Sequence, residues 1–391
     1  MLRLAFILTR GAMGMARNDT AALWARIAIA LLACASVASP AQEFRSESGP
    51  LRVVTVARGL EHPWGLAFLP DGRLLVTERA GRMRVVATGG ALGAPLAGVP
   101  PVAAQGQGGL LDVVIDRQFA ANRTIYFSYA EPGDGGAGTS VARARLGATG
   151  LDDVRVIFRQ TPKVRGGLHF GSRIVQATDG NLFVALGDRY QRDRAQDLGS
   201  HLGKVVRIRP EGGAAPGNPF AGHAGALAEI WSYGHRNVQG AALDPATGFL
   251  WTVEHGAQGG DEINRPQAGR NYGWPVITYG RDYSGASIGE GTSKAGMEQP
   301  LFYWDPSIAP SGMAFYDADA IPGWKGSILV GALRYRLLVR LSRDGDKVLR
   351  EERLLDGLNE RIRDVRVGPD GLVYLLTDSA GGRVLRVEPA R

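Results

Sequence analysis

Residues 231–283 gather an unusual mixture of chemical groups in one stretch of chain. Arg236 and Asn237 follow a glycine and a histidine, so one short loop can deliver a guanidinium and an amide to a carboxylate or carbonyl. Asp261 and Glu262 close a glycine-rich turn, Glu254-His-Gly-Ala-Gln-Gly-Gly. Carboxylates beside free backbone carbonyls suit a hard cation such as calcium. No EF-hand spacing accompanies them, and a solvated acidic pair accounts for the same residues. Elsewhere, Gln105-Gly-Gln-Gly-Gly-Leu-Leu offers the Gln107 amide on a backbone that a ligand can approach closely, or it is a flexible turn. Gly166-Gly-Leu-His-Phe-Gly-Ser-Arg sets His169 just before a strand, as a general base or as a structural histidine. Asp188 closes the following strand and could orient a histidine or cap a turn. Two basic segments, Ala332-Leu-Arg-Tyr-Arg and Arg361-Ile-Arg-Asp-Val-Arg, complete the set. In a strand Arg361 and Arg363 share one side, where they repel unless an anion lies between them. A solvated strand face is the plain alternative.

The elements that must position these groups repeat. Leu66-Ala-Phe-Leu-Pro-Asp-Gly-Arg-Leu-Leu-Val-Thr-Glu reads as strand, turn, strand, with Asp71-Gly72 as the hairpin signal. The same shape recurs at 174–188, 242–254 and 367–378, and more weakly at 114–129 and 313–332. Six hairpins, each with room for two more strands, predict an all-β, six-bladed β-propeller of four-stranded blades. The chemistry-bearing residues fall between the hairpins, on loops that one propeller face would present as a cleft. The domain is expected over 51–391, after a linker at 42–50.

Composition agrees. With 55 glycines, 21 prolines and 45% hydrophobic residues, the chain suits a turn-rich β fold with a large core. The net charge of +7 raises nucleic-acid binding, but the arginines are scattered and no basic run interleaves with aromatics. Only five of the 45 basic residues are lysine, a bias that genome composition alone can produce and whose functional reading is a supply of planar forks that grip carboxylates. Residues 1–41 read as a secretory signal, with arginines before an apolar run from Ile27 to Ala38. Met15 can serve as its start. The alternative is a lipoprotein signal, 1–33, with Cys34 acylated as a lipid anchor. Either way the protein is exported, to the periplasm or the envelope surface. Cys34 is the single cysteine, so the propeller has no thiol for a disulfide, zinc or nucleophilic chemistry.

In order along the chain, GLEHPWGLAFLPDG, GQGGLLDV, HFGSR, GHRNVQG, GGDEIN, NYGWP and RIRDVR followed by GPDG resemble the soluble quinoprotein sugar dehydrogenases, the glucose/sorbosone dehydrogenase family, and in particular its aldose sugar dehydrogenase branch. The resemblance runs from about Gly59 to Val387. It implies a six-bladed propeller, pyrroloquinoline quinone (PQQ) in a cleft on one face, and calcium beside it. PQQ carries three carboxylates, which gives Arg236, Arg334, Arg361 and Arg363 a reason to converge. The resemblance adds Gln107, Asn237, Tyr283, Ala332 and Leu333 to the cofactor contacts. It assigns His169 as the base, with Arg236 polarising the quinone, and Glu262, Tyr272, Gly256 and Ala257 as calcium positions. The implied reaction oxidises an aldose at C1 to a lactone and passes electrons to an acceptor in the envelope. Leu168 stands where the glucose-specific branch has an aspartate, and Ala257 where it has a proline. Both departures favour the broader aldose branch and leave Asp188 as a possible support for His169.

Two other functions fit a six-bladed propeller. One is a calcium-dependent hydrolase of the lactonase type, with carboxylate ligands converging on the axis. The other is a non-catalytic envelope protein that binds a glycan or a protein partner.

Overall fold

A computed structural model describes residues 42–390. The expected signal at 1–41 and the alternative acylation site, Cys34, lie outside the described residues.

The six hairpins read from the sequence are the inner strand pairs of six antiparallel sheets. The innermost strands are Pro63–Phe68, Leu110–Ile115, Gly171–Gln176, Val238–Leu243, Pro310–Phe315 and Ile362–Val367, for blades 1 to 6 in chain order. Each packs against the next, and that of blade 6 packs against that of blade 1, so the ring is closed. Blades 2 to 5 have four strands. Blade 1 has three, and a single bridge, Val86 to Leu92, stands where its fourth would run. Blade 6 has five: Leu51–Leu60 pairs with Gly382–Pro389 as its fourth, tying the two ends of the domain together, and a short fifth lies outside it. Part of the expected linker is itself a strand: Gln42–Phe44 pairs with Leu51–Val53 at the edge of blade 6.

Burial follows radius. Four of the second strands, Leu74–Glu78, Leu182–Leu186, Leu250–Glu254 and Ile328–Ala332, are buried at every position, because neighbouring blades cover both faces. The outer strand Lys347–Leu354 is mostly exposed or half-buried. The core is a ring of inter-blade packets rather than one centre. Trp251, Phe315 and Val330 pack blades 4 and 5 together, and Trp324, Leu329 and Leu385 pack blades 5 and 6.

All six innermost strands slip register within their first few residues. A bulge at that point re-aims side chains toward the axis and the cleft. The slipped segments carry Trp64, Asp112, Arg173, Gln239, Ser311 and Arg363. Glycine permits the crowding there: a Cβ on Gly240 would come within 2.5 Å of the Ser311 carbonyl oxygen. Below the cleft a buried ion network plugs the axis. Arg173 reaches Asp112 and Asp364 at 3.0 Å each, and Arg366 reaches the same two carboxylates at 2.8 and 3.0 Å. This network joins blades 2, 3 and 6 and forms a rigid floor, with the Arg173 guanidinium 4.2 Å from the Trp64 ring.

Candidate active site

Tyr272, Trp274 and Tyr283 come from the 265–301 connection between the third and fourth strands of blade 4, and Glu262 from that third strand. The other chemistry-bearing residues come mostly from two kinds of loop, those entering an innermost strand and those joining second to third strands. Antiparallel connectivity puts both at the bulged rim. Three neighbouring spaces open there. The largest, about 670 Å³, is walled by His169, Asp188, Tyr190, Arg236, Trp274 and Tyr283, with Ala257 and Asp282 also on its lining. A cleft of about 410 Å³ holds Gln107, Leu333, Arg334, Arg361 and Arg363, together with Arg79, Gln239, His255 and Asp378. Between them a space of about 10 Å³ meets Gly256, Glu262 and Tyr272, and shares Arg236 with the first and His255 with the second.

His169 is 6% exposed and Asp188 1% exposed, and their side chains meet with Nδ1 2.7 Å from Oδ1. Asp188 also accepts the backbone N–H of Tyr190 at 2.8 Å and the Trp274 indole N–H at 2.9 Å. Burial works against its ionisation, but the hydrogen bond from His169, the Arg236 charge and the Tyr190 N–H hold its pKa below the usual carboxylate value. An ionised carboxylate only accepts, so His169 carries its proton on Nδ1 and presents a lone pair at Nε2. Burial pushes the imidazole pKa down, with the Arg236 and Arg189 charges adding to the effect and Asp188 opposing it. The ring is therefore a neutral base at neutral pH. The Gln107 side-chain oxygen accepts the His169 backbone N–H at 2.8 Å. Lys204 steadies the cavity edge by donating to the carbonyls of Arg194, Ala195 and Leu202, and burial lowers its pKa to about 7.

In the cleft, four guanidiniums face one carboxylate. Arg363 Nη2 lies 3.0 Å from Asp378, and Arg361 Nη2 lies 3.5 Å from the same oxygen. The cations keep the Asp378 carboxyl ionised despite its burial. Arg363 also donates to Gln239 at 3.1 Å. Arg334 and Arg79 form no ion pair among the described residues. The surplus of positive charge fits a ligand with several carboxylates.

The smallest space suits an ion. Glu262 accepts one hydrogen bond, from Asn264 at 3.1 Å. Burial and the nearby Glu254 carboxylate raise its pKa to about 8. The Tyr272 hydroxyl is committed to the Arg265 carbonyl at 2.5 Å and the Gln267 N–H at 2.9 Å, so Tyr272 could ligate an ion only through its backbone. Asp261 is not part of this set. Its oxygens accept from Gly256, Ser307, Ile308 and Ala309, bracing the turn.

Several expected residues take other places. Arg236 does not join the arginine cleft; it donates to the His255 and Gly256 carbonyls beside the ion-sized space. Arg79 is the fourth guanidinium of the cleft instead. Asn237 and Ala332 are fully buried and line none of the three spaces. The Asn237 side-chain oxygen accepts the Gly171 N–H at 3.1 Å, while its Nδ2 is buried without a partner. Tyr283 stands 62% exposed on the wall of the largest cavity, away from the arginines. Arg79, Gln239, His255 and Asp378 carried no signal of their own in the sequence. Arg79 sits one residue past the first hairpin and Asp378 one past the last strand of its repeat, the position that Asp188 also approaches. His255 lies inside the glycine-rich turn; burial and Arg236 lower its pKa to about 3, and its Nε2 donates to the Pro310 carbonyl at 2.6 Å.

Comparison with known proteins is consistent with this geometry. Residues 60–386 match the family described as glucose/sorbosone dehydrogenase. The chain is 51% identical over 336 residues to the aldose sugar dehydrogenase YliI of Escherichia coli K12, covering 84% of this chain and 91% of that protein. It superposes on the apo crystal structure of the soluble aldose sugar dehydrogenase from Escherichia coli with a TM-score of 0.85, at 49% identity, covering 87% of this chain and all of that one. It also superposes on the PQQ-bound aldose sugar dehydrogenase of Streptomyces coelicolor with a TM-score of 0.72, at 30% identity, over 86% of this chain and 98% of that one. This chain belongs to the glucose/sorbosone dehydrogenase family.

Proposed function

We propose that the protein is a PQQ- and calcium-dependent aldose dehydrogenase that oxidises sugars at C1 to lactones. The observation that carries this reading is a junction. His169 and Phe170 are consecutive residues, yet one lines a cavity with a buried neutral base and the other lines a cleft of unbalanced guanidiniums. Sugar chemistry and a polyanionic redox cofactor would meet there. The relatives, an aldose sugar dehydrogenase and the PQQ-bound form of another, support the same assignment.

Arg79, Arg334, Arg361 and Arg363 would hold the carboxylates of PQQ, with Gln107 and Gln239 as amide partners. Glu262, with backbone oxygens of Gly256 and Tyr272, would hold calcium; the Gly256 carbonyl faces Arg236, so an ion there displaces or shares that contact. When bound, PQQ supplies a two-electron acceptor for the C1 hydride and calcium supplies Lewis acidity. The chain does the rest. His169 Nε2 accepts the proton of the anomeric hydroxyl. Asp188 fixes the tautomer and stabilises the imidazolium as it forms. Arg236, 5.2 Å from the Trp274 ring and on the wall shared by the largest cavity and the ion-sized space, offsets negative charge that grows in the transition state. Residues 1–41 would export the enzyme, and its electrons would go to an acceptor in the envelope.

The hydrolase reading needs free carboxylates at the axis, where Asp112 and Asp364 are each paired with two arginines. A Ser232–His235–Glu254 chain has the hydrogen bonds of a hydrolytic triad, 2.9 Å each, but all three residues are buried and Ser232 and His235 line none of the three spaces at the rim. It braces the turn behind Arg236. The test is reconstitution: purified protein with PQQ and calcium should reduce a redox dye with several aldoses. Absence of cofactor-dependent reduction with every sugar would overturn the proposal.

A further inference from the structure

Arg189 follows the aspartate that holds the base, and it is 2% exposed. It forms no ion pair among the described residues. Burial lowers its pKa to about 10, so it stays charged at neutral pH. A buried guanidinium without a carboxylate partner is costly and calls for a reason. Its contacts supply one. Nη1 donates to the Leu168 carbonyl and Nη2 to the Gly166 carbonyl at 2.7 Å. The guanidinium carbon lies 3.5 Å from the centre of the Phe170 ring. The Arg189 backbone N–H donates to the His169 carbonyl at 3.3 Å. One side chain thus grips the turn on both sides of His169.

The turn needs that grip. It begins Gly166-Gly167, which offers little conformational resistance. His169, Arg189 and Tyr190 have φ of 53°, 53° and 64°, left-handed values that non-glycine residues adopt only when their surroundings impose them. The charged groups facing the imidazole are Asp188, Arg189 and Arg236, and the Tyr190 ring lies 5.3 Å from it. Three successive residues therefore act on the base together. Asp188 holds the ring, Arg189 holds the backbone that carries it, and Tyr190 flanks its face.

We propose that Arg189 is a positioning residue for His169, fixing the 166–170 turn with a planar fork so that Nε2 is aimed into the cavity. This rests on the reading of His169 as the base.

Two variants test it. Arg189→Met keeps an apolar contact over Phe170 but removes the fork and the charge. Arg189→Lys keeps the charge but cannot span two carbonyls. The first readout needs no cofactor: the ¹⁵N imidazole spectrum of His169 in the apoprotein, assigned with His169→Ala. Wild type should show one Nδ1–H tautomer. Both variants should show tautomer averaging, and Arg189→Met should also titrate at higher pH, because a cation that opposes protonation is gone. In the reconstituted enzyme both should lose about 10- to 100-fold in kcat, the scale of an ångström-sized misplacement, while PQQ affinity holds. If Arg189→Met does not fold, Arg189→Lys carries the test. A single unshifted tautomer with kcat within twofold of wild type in the folded variants overturns the proposal. Normal turnover by His169→Ala overturns the base assignment instead, and the apoprotein spectra still report whether Arg189 holds the ring.

Discussion

Replacing Asp188 by asparagine removes one charge and almost no volume, and the geometry around it sets what should follow. The Asp188 carboxylate lies 2.7 Å from the imidazole Nδ1, in a site where the two side chains are 1% and 7% exposed. Proton abstraction turns the imidazole into a cation. With charge centres about 4 Å apart and an effective dielectric near 20, the carboxylate favours that cation by roughly 4 kcal/mol. An amide oxygen retains a neutral hydrogen bond worth about 1 kcal/mol, which leaves a loss of about 3 kcal/mol. At about 1.4 kcal/mol per decade, kcat should fall by a factor of roughly 100 to 1000. Asparagine has a second cost. The Tyr190 and Trp274 N–H groups donate to opposite oxygens, so an amide NH₂ must face one of them in either orientation. Facing Tyr190 and His169, it would also favour the tautomer with its proton on Nε2, which cannot act as a base. The assay is dye reduction by the PQQ- and calcium-loaded enzyme at saturating aldose, with KM and PQQ affinity measured in parallel. Both should stay near wild type, because Asp188 does not line the arginine cleft. A fall in kcat of less than tenfold would refute the argument that the dyad carries the proton step.

Other substitutions separate the remaining roles. Arg363→Gln should weaken PQQ binding more than Arg361→Gln, since Arg363 is nearly buried and leaves Asp378 and Gln239 short of a donor, whereas Arg361 is about half exposed; direct PQQ titration should show a loss of tenfold or more for Arg363→Gln. Glu262 has a folded pKa near 8, above its unfolded value, so the folded state binds the extra proton and metal-free protein should lose stability as pH rises from about 4.5 to 8. Calcium or Glu262→Gln should flatten that slope in melting scans, and an unchanged slope would remove Glu262 from the ion site. Trp324→Ala, in the packet between blades 5 and 6, should cost about 3–5 kcal/mol of unfolding free energy in denaturant titration and leave the affinity of folded protein for PQQ unaltered.

The fold was legible because a propeller is written locally. Asp71-Gly72 and its relatives mark hairpins, and repeated hairpins can bury their faces only against each other. Closure was less legible. No feature of Leu51–Leu60 says that its partner lies more than 300 residues away at Gly382–Pro389, because pairing register across the ends is a property of the ring. The strand at Gln42–Phe44 was hidden for the same reason: three residues with no alternation become a strand only when an edge is available. Within the site, unusual residue types beside glycine were visible, and His169, Arg334, Arg361 and Glu262 all reach the rim. Partnership was not visible. Asp261 and Glu262 are adjacent in sequence, yet strand alternation sends one into the turn as a brace and the other into the ion-sized space.

On the proposed function, one face must hold two incompatible chemistries. A base needs a dry site where it stays neutral, and a polyanion needs exposed cations. The bulge at Gly171 lets successive residues diverge, so that His169 turns to a carboxylate in one cavity while Phe170 and Gly171 line the other. Asp188 and Asp378, one beside the second strand of blade 3 and one beside that of blade 6, then set the opposite characters of the two spaces. Asp188 faces one imidazole and keeps it a base. Asp378 faces Arg361, Arg363 and His62, and leaves most of the cleft's positive charge uncancelled. The same residue type at similar blade positions does opposite work because the residues entering the innermost strand of its own blade differ, His169 in blade 3 and Arg361 and Arg363 in blade 6.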